Sequence, residues 1–143
     1  LKAPAWLDVA EDRKLRHAVE IRHDSFRDPA FAAMLRQHNV ALVCADTVEW
    51  PRLMDVTSDF VYCRLHGSEE LYASGYGDAA LRDWARRVRA WSRGTEPRDA
   101  ERIGPRAERR PREVFVYFDN DRKVRAPHDA AALADLLELH PAG

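Results

Sequence analysis

The stretch Phe60-Val61-Tyr62-Cys63-Arg64-Leu65-His66-Gly67 carries the chemistry that is easiest to place. It opens with the aromatic and β-branched residues of a strand and closes on a guanidinium, an imidazole and a glycine. Side chains alternate along a strand, so Arg64 and His66 share a face. Such a pair, just before a turn, suits an anionic or polyhydroxyl substrate. An imidazole titrates near neutrality when unperturbed, so a histidine here can serve as general acid and base or as a metal ligand. The same alternation puts Glu20 and Arg22 on one face of an earlier strand. Opposite charges so placed are either a structural ion pair or a clamp for an anion or hydroxyl.

Further polar groups end the other strands. Asp46 closes the second and Asp119, Asn120 and Asp121 close the fourth. Asp and Asn also favour the turns that follow strands, so each alone says little. If the strands are adjacent and parallel, all these groups converge. A carboxylate cluster with one histidine can hold a divalent metal through oxygen ligands or form a metal-free polar pocket. No His-Glu-x-x-His or Cys-x-x-Cys spacing is present, and no metal ligand is assigned. Tyr72 and Tyr76 flank Gly75 on a long loop, as a wall or lid over a site or as rings packed on the sheet rim.

The elements that must position these residues follow from periodicity and punctuation. His17–Arg22, Val40–Ala45, Phe60–His66 and Val114–Phe118 read as strands. Asp28 is an N-cap and Pro29 an N1 proline for a helix to His38. Asp78 caps a helix to Ser92, with Leu81, Trp84, Ala85, Val88 and Trp91 at helical spacing and the two tryptophans as core anchors. A last helix runs from His128 to Leu139. Strands alternating with helices imply a parallel α/β sheet. Four βα units are too few for a closed eight-stranded barrel, which takes about 250 residues; they form a small open sheet or half a barrel. Between Arg93 and Arg112 lie seven arginines, interspersed with acids and prolines. That composition reads as a charged, flexible insertion in a single domain spanning 1–143.

Bulk composition narrows the class. The formal charge of the chain is -1, which gives no electrostatic case for nucleic acid or a membrane surface. No apolar run approaches the roughly 20 residues of a membrane span. The chain opens on Leu1, which reads as a fragment, a processed product or an incomplete reading, and no signal peptide is visible. Cys44 and Cys63 fall inside strands as buried reduced thiols. Together these features point to the cytoplasm.

Five segments in order resemble the YecE-like proteins, classed as domain of unknown function family 72. They are Glu20-x-Arg22-His23-x-Ser25; Asn39-Val40-Ala41-Leu42 with Asp46; Tyr62-x-Arg64-Leu65-His66-Gly67; Tyr72-x-x-Gly75-Tyr76; and Tyr117-Phe118-Asp119-Asn120-Asp121 with Ala126 and Ala130. The resemblance spans His17 to Leu139. It implies the C-terminal half of a TIM-type (β/α)8 barrel, with four parallel βα units, and no established activity. Asp119 and Asp129 stand where the family usually has Asn. By the resemblance, Glu20, Arg22, Asp46, Arg64, His66, Tyr72, Asn120 and Asp121 fall on mouth positions. Glu20, His66 and Asp121 are then the candidates to move protons, and Arg22, Asp46, Arg64, Tyr72 and Asn120 the candidates to bind. Three function classes follow: an enzyme on a phosphorylated or polyhydroxyl small molecule, a metal-dependent hydrolase or nuclease-like barrel, and a non-catalytic binding protein. A half barrel has open sheet edges, so its partner is the missing N-terminal half or a second copy.

Overall fold

The computed structural model describes residues 8, 11–67, 75–120 and 124–139. Its strands are β1 (His17–Val19), β2 (Val40–Leu42), β3 (Cys44–Asp46), β4 (Phe60–Leu65) and β5 (Glu113–Phe118). Its helices are α1 (Pro29–Gln37), α2 (Asp78–Ser92) and α3 (Arg125–Leu136), with a 3-10 turn at Asp24–Phe26. The result is a mixed α/β fold in which every strand pairing is parallel: β1 with β2, β3 with β4, and β4 with β5. Among the described residues, no helix is long and apolar enough to cross a membrane.

Local signals explain most element boundaries. The Asp28 carboxylate accepts from Ala30 N at 2.8 Å and Pro29 opens α1, as its sequence predicts. At α2 the N-cap is Gly77, without a side-chain cap; Asp78 instead sits in the first turn, where its charge meets the positive end of the helix dipole. α3 begins at Arg125, three residues earlier than the sequence suggests. Pro127 lies within its first turn, where no intrahelical donor is required. It ends early because Glu138 adopts a left-handed conformation, φ 60°.

The expected Val40–Ala45 strand is interrupted at Val43, and the cause is Thr57. Its hydroxyl accepts from Leu42 N at 2.7 Å and donates to Val40 O at 2.7 Å. Those backbone groups are therefore satisfied by a side chain on the side where β4 would pair. Pairing with β4 begins only at Cys44, opposite Cys63. On the other side, Val43 N donates to Val19 O at 2.9 Å and carries the chain past β1. β1 itself stops at Val19, so Glu20 and Arg22 lie just beyond its paired length.

The sheet has two unlike faces. Val61, Cys63 and Leu65 of β4, with Cys44, meet Tyr76, Leu81, Trp84, Trp91 and Leu133 in the main core. Trp84 and Trp91 are each 1% exposed, as core anchors should be. Ile21, Leu35, Leu42 and Leu53 form a second cluster. Cys44 and Cys63 are free and buried; a hydrogen bond with Cys44, then burial, pushes the Cys63 thiol well up, so it stays protonated. The opposite face carries Phe60, Tyr62 and Arg64 from β4 beside Phe115 and Tyr117 from β5. Tyr62 stacks on Tyr117 at 5.0 Å, and the Arg16 guanidinium lies 4.2 Å over the Phe60 ring.

Residues 93–112 contain neither helix nor strand, and hydrogen bonds tie them to the domain. Asp55, buried, accepts from Ile103 N at 3.0 Å and Gly104 N at 2.8 Å. Met54 N donates to Glu101 O at 2.8 Å.

Candidate functional site

The parallel register delivers four ionisable side chains to one place. Glu20 follows β1, Arg64 lies near the end of β4, His66 follows it, and Asp119 follows β5. His66 N donates to Asp46 O at 3.0 Å and Asp119 N to Leu65 O at 2.8 Å, so the sheet pattern continues through the site and fixes its backbone. Alternation then sends Glu20, Arg64, His66 and Asp119 to the face away from the helices.

Glu20 is the hub. Its Oε1 accepts from Arg22 Nε at 2.8 Å, and its Oε2 accepts from Arg64 Nη1 at 2.9 Å. His66 Nε2 lies 3.3 Å from the same Oε2. Arg64 also bonds Asp119 Oδ2 through Nη2, and His66 Nδ1 lies 3.3 Å from that oxygen. His66 thus stands between two carboxylates while being 0% exposed. A neutral imidazole donates from one nitrogen only, whereas an imidazolium donates from both. Burial alone would raise the Glu20 pKa, but hydrogen bonds from Arg22 and His66 and the charges of Arg64 and His66 outweigh it and hold the carboxyl below its usual range.

Trp50 completes this group. Its ring meets His66 edge-on at 5.4 Å, and the Arg22 guanidinium lies 4.6 Å over its face. The indole Nε1 is buried and has no hydrogen-bond partner among the described residues. Sequence reasoning passed over Trp50 because it sits in an irregular segment; the available signal was a Trp-Pro pair four residues past a strand-end aspartate. Two hollows flank the cluster. One, about 550 Å3, is lined by Arg22, Arg27, Arg52 and Trp50. The other, about 610 Å3, lies on the open sheet face against Glu20, Tyr62, Arg64 and Tyr117.

Asp46 lines the first of these hollows but is not bonded to the Glu20 cluster, and Asn120 lies behind it. Asp46 shares a face with Cys44, so it points to the helices. Its Oδ1 accepts from Arg52 at 3.0 Å, and its Oδ2 from Tyr76 Oη at 3.0 Å and Trp84 Nε1 at 3.2 Å. Tyr76 Oη accepts from Gly67 N at 3.1 Å, and Tyr76 N donates to Asp129 Oδ2 at 3.0 Å. Asn120 Nδ2 donates to the same Asp129 oxygen at 2.8 Å. Burial first, then the Asp46 charge, raise the Tyr76 phenol far above its ordinary value, so it remains a donor. This second network ties α2 and α3 to the strand ends. Tyr72 and Asp121 lie outside the described residues.

Comparison with known proteins places this arrangement. The model of a family described as "Protein of unknown function DUF72" matches residues 4–143. The chain belongs to the DUF72 family. Among solved structures, a DUF72 protein from Enterococcus faecalis V583 is similar with a TM-score of 0.64 and 21% identity, over 92% of this chain and 52% of that one. A DUF72 protein from Thermotoga maritima MSB8 is similar with a TM-score of 0.69 and 25% identity, over 87% of this chain and 46% of that one. The chain therefore spans about half the length of these DUF72 relatives. Among proteins of curated function, none matches it significantly.

The depressed Glu20 carboxyl has a testable sign. A carboxyl whose folded pKa lies below its unfolded value of about 4.3 stabilises the fold above that value and loses this contribution as pH falls through the folded pKa. Glu20→Gln should lower stability at pH 7 by about 1–3 kcal/mol, because half-buried Arg64 and buried His66 lose a charged acceptor. Urea unfolding from pH 7 downward should show the gap to wild type closing below about pH 4.3. A gap that stays constant through that range would show that the Glu20 charge contributes nothing.

Proposed function

We propose that this DUF72 chain is the C-terminal half of a TIM-type (β/α)8 barrel whose mouth binds a small anionic or polyhydroxyl molecule. The barrel reading is supported by four consecutive parallel strand positions, β2 and β3 counting as one interrupted strand, and by relatives about twice as long. β1 and β5 are the outer strands of the described sheets, each paired on one side only. Among the described residues, no helix packs on the aromatic face of β4 and β5, and Tyr117 is 51% exposed there; in a barrel it would be the inner wall.

The observation that carries the ligand reading is the convergence of Glu20, Arg64, His66 and Asp119 from three strand ends into one hydrogen-bonded cluster. In TIM barrels that rim holds the active site. Arg22 and Arg64 supply forked donors for phosphate, carboxylate or vicinal hydroxyls. Glu20 and Asp119 supply acceptors for hydroxyl protons, and His66 between them can exchange a proton with either. The Trp50 ring offers an apolar platform, and its buried N–H offers a donor for a ligand oxygen. The metal-dependent reading has less to rest on: among the described residues, no group of three His, Cys, Asp or Glu side chains is placed to hold an ion.

Two experiments test these readings. Calorimetric titration of the complete protein with sugar phosphates and their uncharged parent sugars should reveal a binder. Arg22→Ala and Trp50→Phe should each weaken it about tenfold, as loss of one well-placed bond does. Binding that ignores both substitutions would remove the proposed site. For the half barrel, the 143-residue chain alone should sediment as a dimer or larger species. A compact monomer with one sharp unfolding transition would contradict it.

A further inference from the structure

Residues 93–112 join the end of α2 to the first residue of β5, so they lie at the amino ends of the strands. Glu20, His66 and Asp119 lie at the carboxyl ends. Between this segment and the last turns of α2 is a cavity of about 480 Å3, within the range of small-ligand sites.

Its walls carry internal hydrogen bonds. Arg112 is 8% exposed and donates to Ser58 O at 3.3 Å, Arg110 O at 2.9 Å and Glu108 O at 2.9 Å. Ala107 N donates to Glu96 Oε1 at 2.8 Å. Gly94, at φ 80°, lets the backbone of Arg110 come close; a Cβ there would lie 2.5 Å from the Arg110 carbonyl carbon. The carbonyl end of α2, which would repel an anion, is covered: Thr95 N donates to Ala90 O at 2.8 Å and Gly94 N to Trp91 O at 3.0 Å.

The charges lining the cavity are unequally engaged. Asp99 accepts from Arg87 Nε at 3.1 Å and Nη2 at 2.7 Å. Glu96 pairs with Arg102 at 3.2 Å, and Arg86 with Asp83 at 3.0 Å. Among the described residues, the side chains of Arg98, Arg106 and Arg109 line the cavity with no ion pair or hydrogen bond. Among the described residues, the Glu108 carboxylate also lines the cavity without a side-chain ion pair or hydrogen bond. The lining of the hollow therefore carries three unpaired arginines against one unpaired carboxylate.

We propose that this cavity is a second binding site, for a small phosphate-bearing anion held by Arg98, Arg106 and Arg109. Guanidinium forks match phosphate oxygens pairwise, and a ligand with more than one negative charge matches the local excess. The confined volume and Glu108 at its edge favour a compact anion over a long polyanion. In a parallel α/β barrel the amino-end face is not where the chemistry occurs, so occupancy here would act on stability or regulation.

Calorimetric titration of the complete protein with sodium pyrophosphate at low ionic strength tests the proposal, with a single-stranded oligonucleotide as the second probe. All three arginines are exposed, and far-UV circular dichroism checks that their variants stay folded. Pyrophosphate should bind, and R98A/R106A/R109A should weaken it about tenfold or more. R98K/R106K/R109K, which keeps the charge and loses the fork, should fall between. Absence of pyrophosphate binding, or equal affinity in the alanine variant, would overturn the proposal. So would an oligonucleotide that binds more tightly than pyrophosphate through the same arginines, which would make the surface one for nucleic acid.

Discussion

The Glu20 carboxylate is the acceptor around which the strand ends are organised. Arg22 binds one of its oxygens, and Arg64 and His66 approach the other. Charges removed from water cost several kcal/mol each unless partners replace the lost hydration. Glu20, with a side chain 11% exposed, meets that cost with donors from three directions. Asp119 does the same for the far side of Arg64 and His66. The cluster holds only if β1, β4 and β5 run parallel and end together. A one-residue slip of any of them would turn its charged tip toward the helices.

Behind the cluster, the same strand ends carry a network with a different task. Asp46 joins Arg52, Tyr76 and Trp84, and Asp129 joins Tyr76 and Asn120. Asp46, Tyr76, Trp84, Asn120 and Asp129 are buried, and Arg52 is half-buried. They bind the loop after β4 and helices α2 and α3 to the backbone that presents His66. Strand alternation thus separates recognition from support: even-numbered residues of β4 face the open side, and odd-numbered ones face the core. Cys63 and Leu65 serve the core, while Arg64 and His66 serve the cluster.

Much of this was legible before any coordinates. Asp28-Pro29 announced α1, the tryptophans of α2 announced its buried side, and the spacing of Arg64 and His66 announced a shared face. Other features were hidden for physical reasons. Thr57 replaces the ladder beside Val40 and Leu42 with its own hydroxyl, and a side-chain substitute for backbone pairing leaves no trace in hydrophobic periodicity. The true start of α3, three residues before the expected His128, was also hidden, because Pro127 belongs to its first turn. The direction of Asp46 was readable in principle, since Cys44, two residues before it, is a core residue. The placement of Trp50 against Arg22 and His66 was not, because an irregular segment has no period from which to project a side chain.

The account depends on Glu20 and Arg64 interacting across strands rather than merely lying close. A double-mutant cycle from the urea unfolding of Glu20→Gln, Arg64→Met and the double variant at pH 7 measures that coupling directly. Charged partners sharing one network should give a favourable coupling of about 1 kcal/mol or more. A coupling indistinguishable from zero would mean that the strand ends carry independent, solvated charges and that no organised cluster exists.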